Sequence, residues 1–281
     1  MTRVDSHIHF WDPARLHYDW LAHVPALSRP FLPSDAMPLA EASIFVQADC
    51  RPDEAIAEVD WVASFAEAAG IGAIVAFAPL ELGDAVAGHL DMLKQRPLVR
   101  GVRRLLQDEP PGFISSDLHI AGLVAAARAG LACDLCVRVH QLAELAHALE
   151  DVFKREPSAR MVLDHLGKPG ITPQADIAAG GWAGNIERLA RLPNLYVKLS
   201  GLMTEADPAD CPDEGFMPYL HHAIRHFGAD RCMYGSDWPV LTLAGSTIRW
   251  QKIVEAASSS LPAKDQTAIW SKTAEAAYRL R

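Results

Sequence analysis

The sequence predicts an α/β fold, a single (β/α)8 TIM barrel spanning residues 1–281 with irregular loops over its C-terminal mouth. Three observations predict it. A barrel of this kind needs roughly 250 residues, and the chain has 281. Short apolar, β-branched runs recur along it, most of them almost continuously apolar, as parallel strands buried on both faces should be. Helical patterns separate these runs, and alternation of strand and helix implies a parallel sheet.

The eight strand candidates are residues 3–8, 43–47, 71–77, 100–105, 132–137, 160–163, 195–199 and 231–234. Apolar residues at helical spacing mark helices over 54–69, 116–129, 143–154, 182–191 and 216–227. An open doubly wound sheet would carry a glycine-rich phosphate turn after its first strand. Here that strand runs into His7-Ile8-His9-Phe10-Trp11-Asp12, without glycine. Residues 11–38, rich in proline and aromatic side chains, predict an irregular loop over the mouth. Residues 204–218, with three prolines and five acids, predict a second.

Composition narrows the function classes. Hydrophobic residues make up 50% and charged residues 22%, an ordinary globular balance. The net charge of −9 and the absence of clustered Lys and Arg argue against a grip on nucleic-acid phosphates. No apolar run reaches the ~18 residues of a membrane span. No signal-peptide pattern opens the chain, so the default expectation is a cytoplasmic location. The five cysteines are scattered, and Cys133 and Cys136 face opposite sides of one strand candidate. They read as buried thiols rather than a disulfide or zinc framework.

The residues that can do chemistry sit at strand ends. His7 and His9, two apart on the first strand, face the same way. At the barrel mouth they suit two nitrogen ligands for one metal, or two hydrogen-bond donors around a substrate carbonyl. His165 follows the sixth strand candidate, before Gly167 and Pro169. Asp237 follows the eighth, between Gly235 and Pro239, where a carboxylate can act as general base. Each alone also has a plain reading: polar strand ends, a satisfied histidine, a helix cap. In a closed barrel the ends of strands one, six and eight converge on one opening. Trp11, Trp20 and Trp238 are candidates for stacking on a sugar face, though at least one is expected in the core.

The set HIHFWD, RGVRRLLQDE, LDHLGKP, VKLSGL and GSDWPV, in this order over nearly the whole chain, resembles the sugar-lactonase branch of the amidohydrolase superfamily, the branch of the L-fuconolactonases and L-rhamnonolactonases. The resemblance implies hydrolysis of a sugar lactone in carbohydrate catabolism. It gives Asp237 the role of activating water, with His7, His9 and His165 lining the site. It makes Gln47, Arg103 and Lys198 candidates for substrate binding, with Arg103 preferred over its neighbour Arg104. Strand four offers Arg103 where a two-metal site needs a bridging Lys or Glu, so one divalent metal (zinc) or none is expected. His140 would match the superfamily's strand-five histidine only if that strand runs so far. A zinc-dependent aromatic-acid decarboxylase of the same superfamily and a non-catalytic sugar-acid binding barrel stay open, as does a homo-oligomer.

Overall fold

The computed structural model describes residues 3–36, 40–171, 177, 181–207 and 211–280. Eight parallel strands pair in sequence order: β1 (Val4–Ile8), β2 (Ala42–Val46), β3 (Ile71–Phe77), β4 (Val99–Arg103), β5 (Ala132–Leu135), β6 (Met161–Leu163), β7 (Leu195–Leu199) and β8 (Cys232–Tyr234). All eight fall on the expected runs. The helices α1 (Ala55–Ala63), α3 (Asp117–Arg128), α4 (Leu142–Arg155), α5 (Trp182–Ala190) and α6 (Met217–Phe227) match the five helical patterns. Four more helices carry no sequence expectation: α2 (Ala87–Lys94), α7 (Thr247–Ser258), α8 (Ala263–Thr267) and α9 (Thr273–Tyr278).

Strand alternation sorts the side chains into two layers. Val99, Val102, Cys133, Leu135, Met161, Leu163, Leu195, Val197 and Leu199 pack outward against the helices. Val4, Ile44, Val46, Ala73, Val75, Ala132, Val162 and Met233 fill the barrel interior. Ala274, Ala277 and Tyr278 of α9 join this inner cluster, so the C-terminal helix stoppers one end of the barrel.

The seam between β8 and β1 has no continuous ladder. It closes through an isolated bridge, Ile8 with Trp238, and through Asp237 N–H to His7 O (2.8 Å) and His9 N–H to Trp238 O (2.7 Å). Ser6 Oγ donates to Tyr234 O at 2.6 Å. Asp5 Oδ1 accepts from the amides of His7 (3.1 Å) and Ser236 (2.8 Å). Burial pushes the Asp5 carboxyl up to about 6 against the pull of these donors.

The loop expected over 11–38 is a string of single 3-10 turns, held by a Trp11–Phe31 bridge; residues 37–38 lie outside the described residues. Residues 208–210 of the second loop do so as well. The five cysteines are free and buried. Among the described residues, no helix is long and apolar enough to cross a membrane.

Helix α3 lies tightly against the turn at Leu80–Val86. A Cβ on Gly122 would sit 1.9 Å from Leu80 O. Gly122→Ala is therefore expected to cost about 3 kcal/mol by forced displacement of backbone, read as a lower urea midpoint at unchanged slope.

Candidate active site

The mouth of the barrel holds three imidazoles around one carboxylate. His7 Nε2, His9 Nε2 and His165 Nε2 lie 3.6, 3.5 and 3.9 Å from Asp237 Oδ1. His7 and His9 meet at 3.0 Å between their Nε2 atoms. All four residues are buried.

A bulge decides which way the histidines face. Strict alternation from the inward Val4 would turn His7 outward. Between Asp5 and Ile8 the register with β2 slips, three residues of β1 against two of β2. The slip sends Ile8 to the outer layer and both histidines into the barrel.

The other two groups sit on left-handed backbone. Asp237 has φ 62°, and His165 opens four successive left-handed residues, with φ 53°, 51°, 71° and 51° through Lys168. Gly201 backs the His165 ring so closely that a Cβ there would lie 2.4 Å from Nδ1. His165 Nδ1 meets Ser200 Oγ at 2.8 Å.

Beneath the histidines lies a layer of four charges. Arg103 Nη1 donates to Asp164 Oδ2 at 3.1 Å. Lys198 Nζ pairs with Asp134 Oδ2 and lies 3.0 Å from Asp164 Oδ1. The Tyr278 hydroxyl reaches Asp134 from below, at 2.8 and 3.0 Å from its two oxygens. Lys198 also stands 3.0 Å from His7 Nδ1.

These contacts fix proton positions. Val46 O can only accept, so His9 Nδ1, 2.7 Å away, carries hydrogen and its Nε2 turns to Asp237. An ammonium only donates, so Lys198 leaves the hydrogen of a neutral His7 on Nε2. Burial first, then Lys198, pushes the His7 pKa well below its ordinary value. Burial brings His165 down to about 4. Burial pushes the Asp237 carboxyl up, but the three rings outweigh it and hold it well below the usual carboxylate range. Burial likewise opposes ionisation of Asp164, yet Lys198 and His7 hold it low. At Asp134 burial wins, raising it to about 6.

The donor set fits one metal ion. Bonds of 2.0–2.1 Å in a tetrahedron place ligand atoms about 3.3–3.4 Å apart, close to the 3.0, 3.5 and 3.6 Å among His7, His9 and Asp237. Their ligand atoms, and those of the overlapping group His7, Asp164 and His165, lie within 4.8 Å of one another. A metal on His7 Nε2 requires the other tautomer, for which Asp164 Oδ1, 3.4 Å from Nδ1, is the acceptor.

Above this floor opens a cavity of about 400 Å³, lined by His9, His165, Asp237, Arg103, Trp11 and Trp20 among others. Of the sequence-derived candidates, His7, Gln47, Lys198, Trp238 and His140 do not line it; His7 is fully buried just beneath, against His9 and Asp237. Gln47 Oε1 accepts from its own loop, at Asp49 N, 2.5 Å away. Trp238 packs edge-on against Phe10 and Phe31. Lys198 is fully buried under the site. His140 stands exposed in a turn, because β5 ends at Leu135, so the condition for its joining the site fails.

The segment after β4 was missed by sequence reasoning. Arg104, Gln107, Asp108 and Glu109 line the cavity, whereas no described residue of 204–218 does. Arg104 turns out of the barrel, ion-paired with Glu81 (3.1 Å) and Glu109 (2.6 Å), and still reaches the wall. Lys168 joins them, donating to Gln107 Oε1 at 2.7 Å. Asp134 and Asp164 were missed as a charge layer; the signal was a lone acid inside one apolar strand, Asp134, and another directly after the next, Asp164.

A parallel α/β barrel that gathers three imidazoles on one carboxylate at its strand ends has the build of a barrel hydrolase. The chain belongs to the amidohydrolase family, whose model matches residues 4–280. It is 32% identical to an L-fucono-1,5-lactonase of Burkholderia multivorans over 296 residues, covering 99% of this chain and 96% of that one. It is 34% identical to an L-fucono-1,5-lactonase of Burkholderia ambifaria, covering 86% and 82%. A crystal structure of a Burkholderia multivorans amidohydrolase with bound zinc superposes with TM-score 0.86 at 32% identity, covering all of both chains.

Two predictions follow from the buried charges. Lys198→Met strands Asp134 without its cation, leaves Asp164 with Arg103 alone, and is expected to cost about 3–5 kcal/mol of unfolding free energy; adding Asp134→Asn should recover part of the loss in the same urea titration. Separately, Glu58 of α1 is fully buried and accepts from Ala48 N at 3.1 Å. Burial raises it to about 8. A carboxyl raised on folding stabilises fully below its unfolded value, and that contribution is lost as pH rises through 8. Unfolding free energy should therefore fall between pH 5 and 8 more steeply for the wild type than for Glu58→Gln.

Proposed function

We propose that this chain hydrolyses a sugar lactone to the free sugar acid, with Asp237 activating the attacking water. The observation that carries the reading is the convergence of His7, His9 and His165 on Asp237 at the floor of the cavity. The relatives named L-fucono-1,5-lactonase, which match most of the chain, support the substrate class.

A lactone fits the chemistry of the walls. Trp20, backed by the fully buried Trp11, offers an apolar face, while Asp49, Asp108 and Glu109 offer acceptors for sugar hydroxyls. Arg103 and Lys168 supply fixed positive charge near Asp237. Water attacks the carbonyl carbon as Asp237 takes its proton. The oxyanion that develops is held by the cationic donors, usually the largest catalytic contribution. Collapse breaks the bond to the ring oxygen, and Asp237 returns its proton to that oxygen.

A carboxylate that takes a proton from water works best where its surroundings also acidify that water. A zinc-class ion bound by His7, His9 and Asp237, with His165 beside them, would supply that acidification and polarise the carbonyl; the zinc-bound relative supports the choice of ion.

The test is a panel of aldonolactones assayed by acid release with a pH indicator, with and without chelator. Ring opening of an L-fucono-1,5-lactone-type substrate is expected, and Asp237→Asn should lower kcat on the order of a thousandfold. Near-normal turnover by Asp237→Asn would remove it as the base. Release of carbon dioxide in place of a ring-opened acid, or no turnover of any lactone, would overturn the reading.

A further inference from the structure

A second group of metal-type ligands lies on the outer helical layer, apart from the mouth. His222 and His226 stand four residues apart on α6, on one face of the helix. Glu187 of the neighbouring α5 points between them. Its Oε1 lies 3.7 Å from His222 Nε2 and 3.7 Å from His226 Nε2. The ligand atoms of all three lie within 4.8 Å of one another. The two rings are 4.4 Å apart, and Trp182 backs His222 at 5.4 Å.

A plain ion pair does not need this arrangement. One Glu neutralises one imidazolium, and a second imidazolium stacked beside the first is repelled. Two imidazoles at i and i+4 with a carboxylate from an adjacent helix match a known way of holding zinc, three N/O ligands with a fourth position open. The two carboxylate–imidazole separations of 3.7 Å are within a few tenths of an ångström of tetrahedral ones, a distance that exposed side-chain ends can close. Their exposures of 13%, 31% and 41% leave room for an ion to enter from solvent.

We propose that Glu187, His222 and His226 form a zinc-binding site that ties α5 to α6, separate from the mouth cluster. Binding replaces one existing contact: His222 Nε2 now lies 3.2 Å from Ala183 O, and its hydrogen must pass to Nδ1. Arg191 and Arg225, whose charges act on His226, oppose the ion and temper its affinity.

Chelator-stripped wild type and His226→Ala are compared by equilibrium dialysis against zinc chloride and by thermal unfolding with and without zinc. Any ion at the mouth is common to both and cancels. The wild type should bind one equivalent more than His226→Ala. Its Tm should rise roughly 5 °C further at a hundredfold excess over Kd. Glu187→Gln, which keeps the side chain's shape, should weaken the same site at least tenfold. Lactone turnover by His226→Ala should stay at the wild-type level, so a failure of this site leaves the mouth reading untouched. Equal stoichiometry and equal Tm shifts in wild type and both variants would overturn the proposal.

Discussion

The barrel interior holds two cations and two anions, Arg103, Lys198, Asp134 and Asp164, where other barrels of this kind place aliphatic side chains. Each charge alone would carry a desolvation cost of several kcal/mol. Together they sum to zero, and each has an opposite partner within hydrogen-bonding reach. This layer is the base on which the mouth is built. Lys198 sets which nitrogen of His7 bears hydrogen, Asp164 stands ready for the other choice, and Arg103 reaches up to the cavity. The arrangement spends stability on orientation: a layer of Leu and Val would fold as well and would position nothing.

Above that layer, the candidate site sits where the backbone leaves regular geometry. The bulge in β1 turns both histidines inward, and His165 and Asp237 occupy left-handed conformations. Such conformations cost of order 1–3 kcal/mol each and persist only where packing over-determines them. Here the packing is visible. The Gly201 backbone leaves no space beside the His165 ring except the one it fills. The seam bonds of Asp5 and Ser6 lock the strand ends on either side of Asp237.

Much of this was legible in the sequence. Continuous apolar runs located every strand, because parallel strands are buried on both faces and tolerate little else. The pair His7 and His9 declared a common face by their spacing, and Asp237 stood out between Gly and Pro. The face itself was not legible, because a bulge leaves no mark in a five-residue strand. Lys198 read as a substrate contact and proved to be a buried counter-ion; a motif gives a residue's position along the strand but not the depth of its side-chain end. The cavity wall after β4 was obscured because Arg104 to Glu109 look like ordinary surface charge. The end of β5 ruled on His140, and strand ends are the least periodic part of a pattern.

Tyr278 gives the molecule a further property. The tyrosine that braces Asp134 arrives on α9, while the histidines it indirectly steadies lie in β1, some of the widest separations the chain can offer. The floor of the candidate site therefore draws on both β1 and α9, and its interior charges are fully paired only when these two distant elements are both in place.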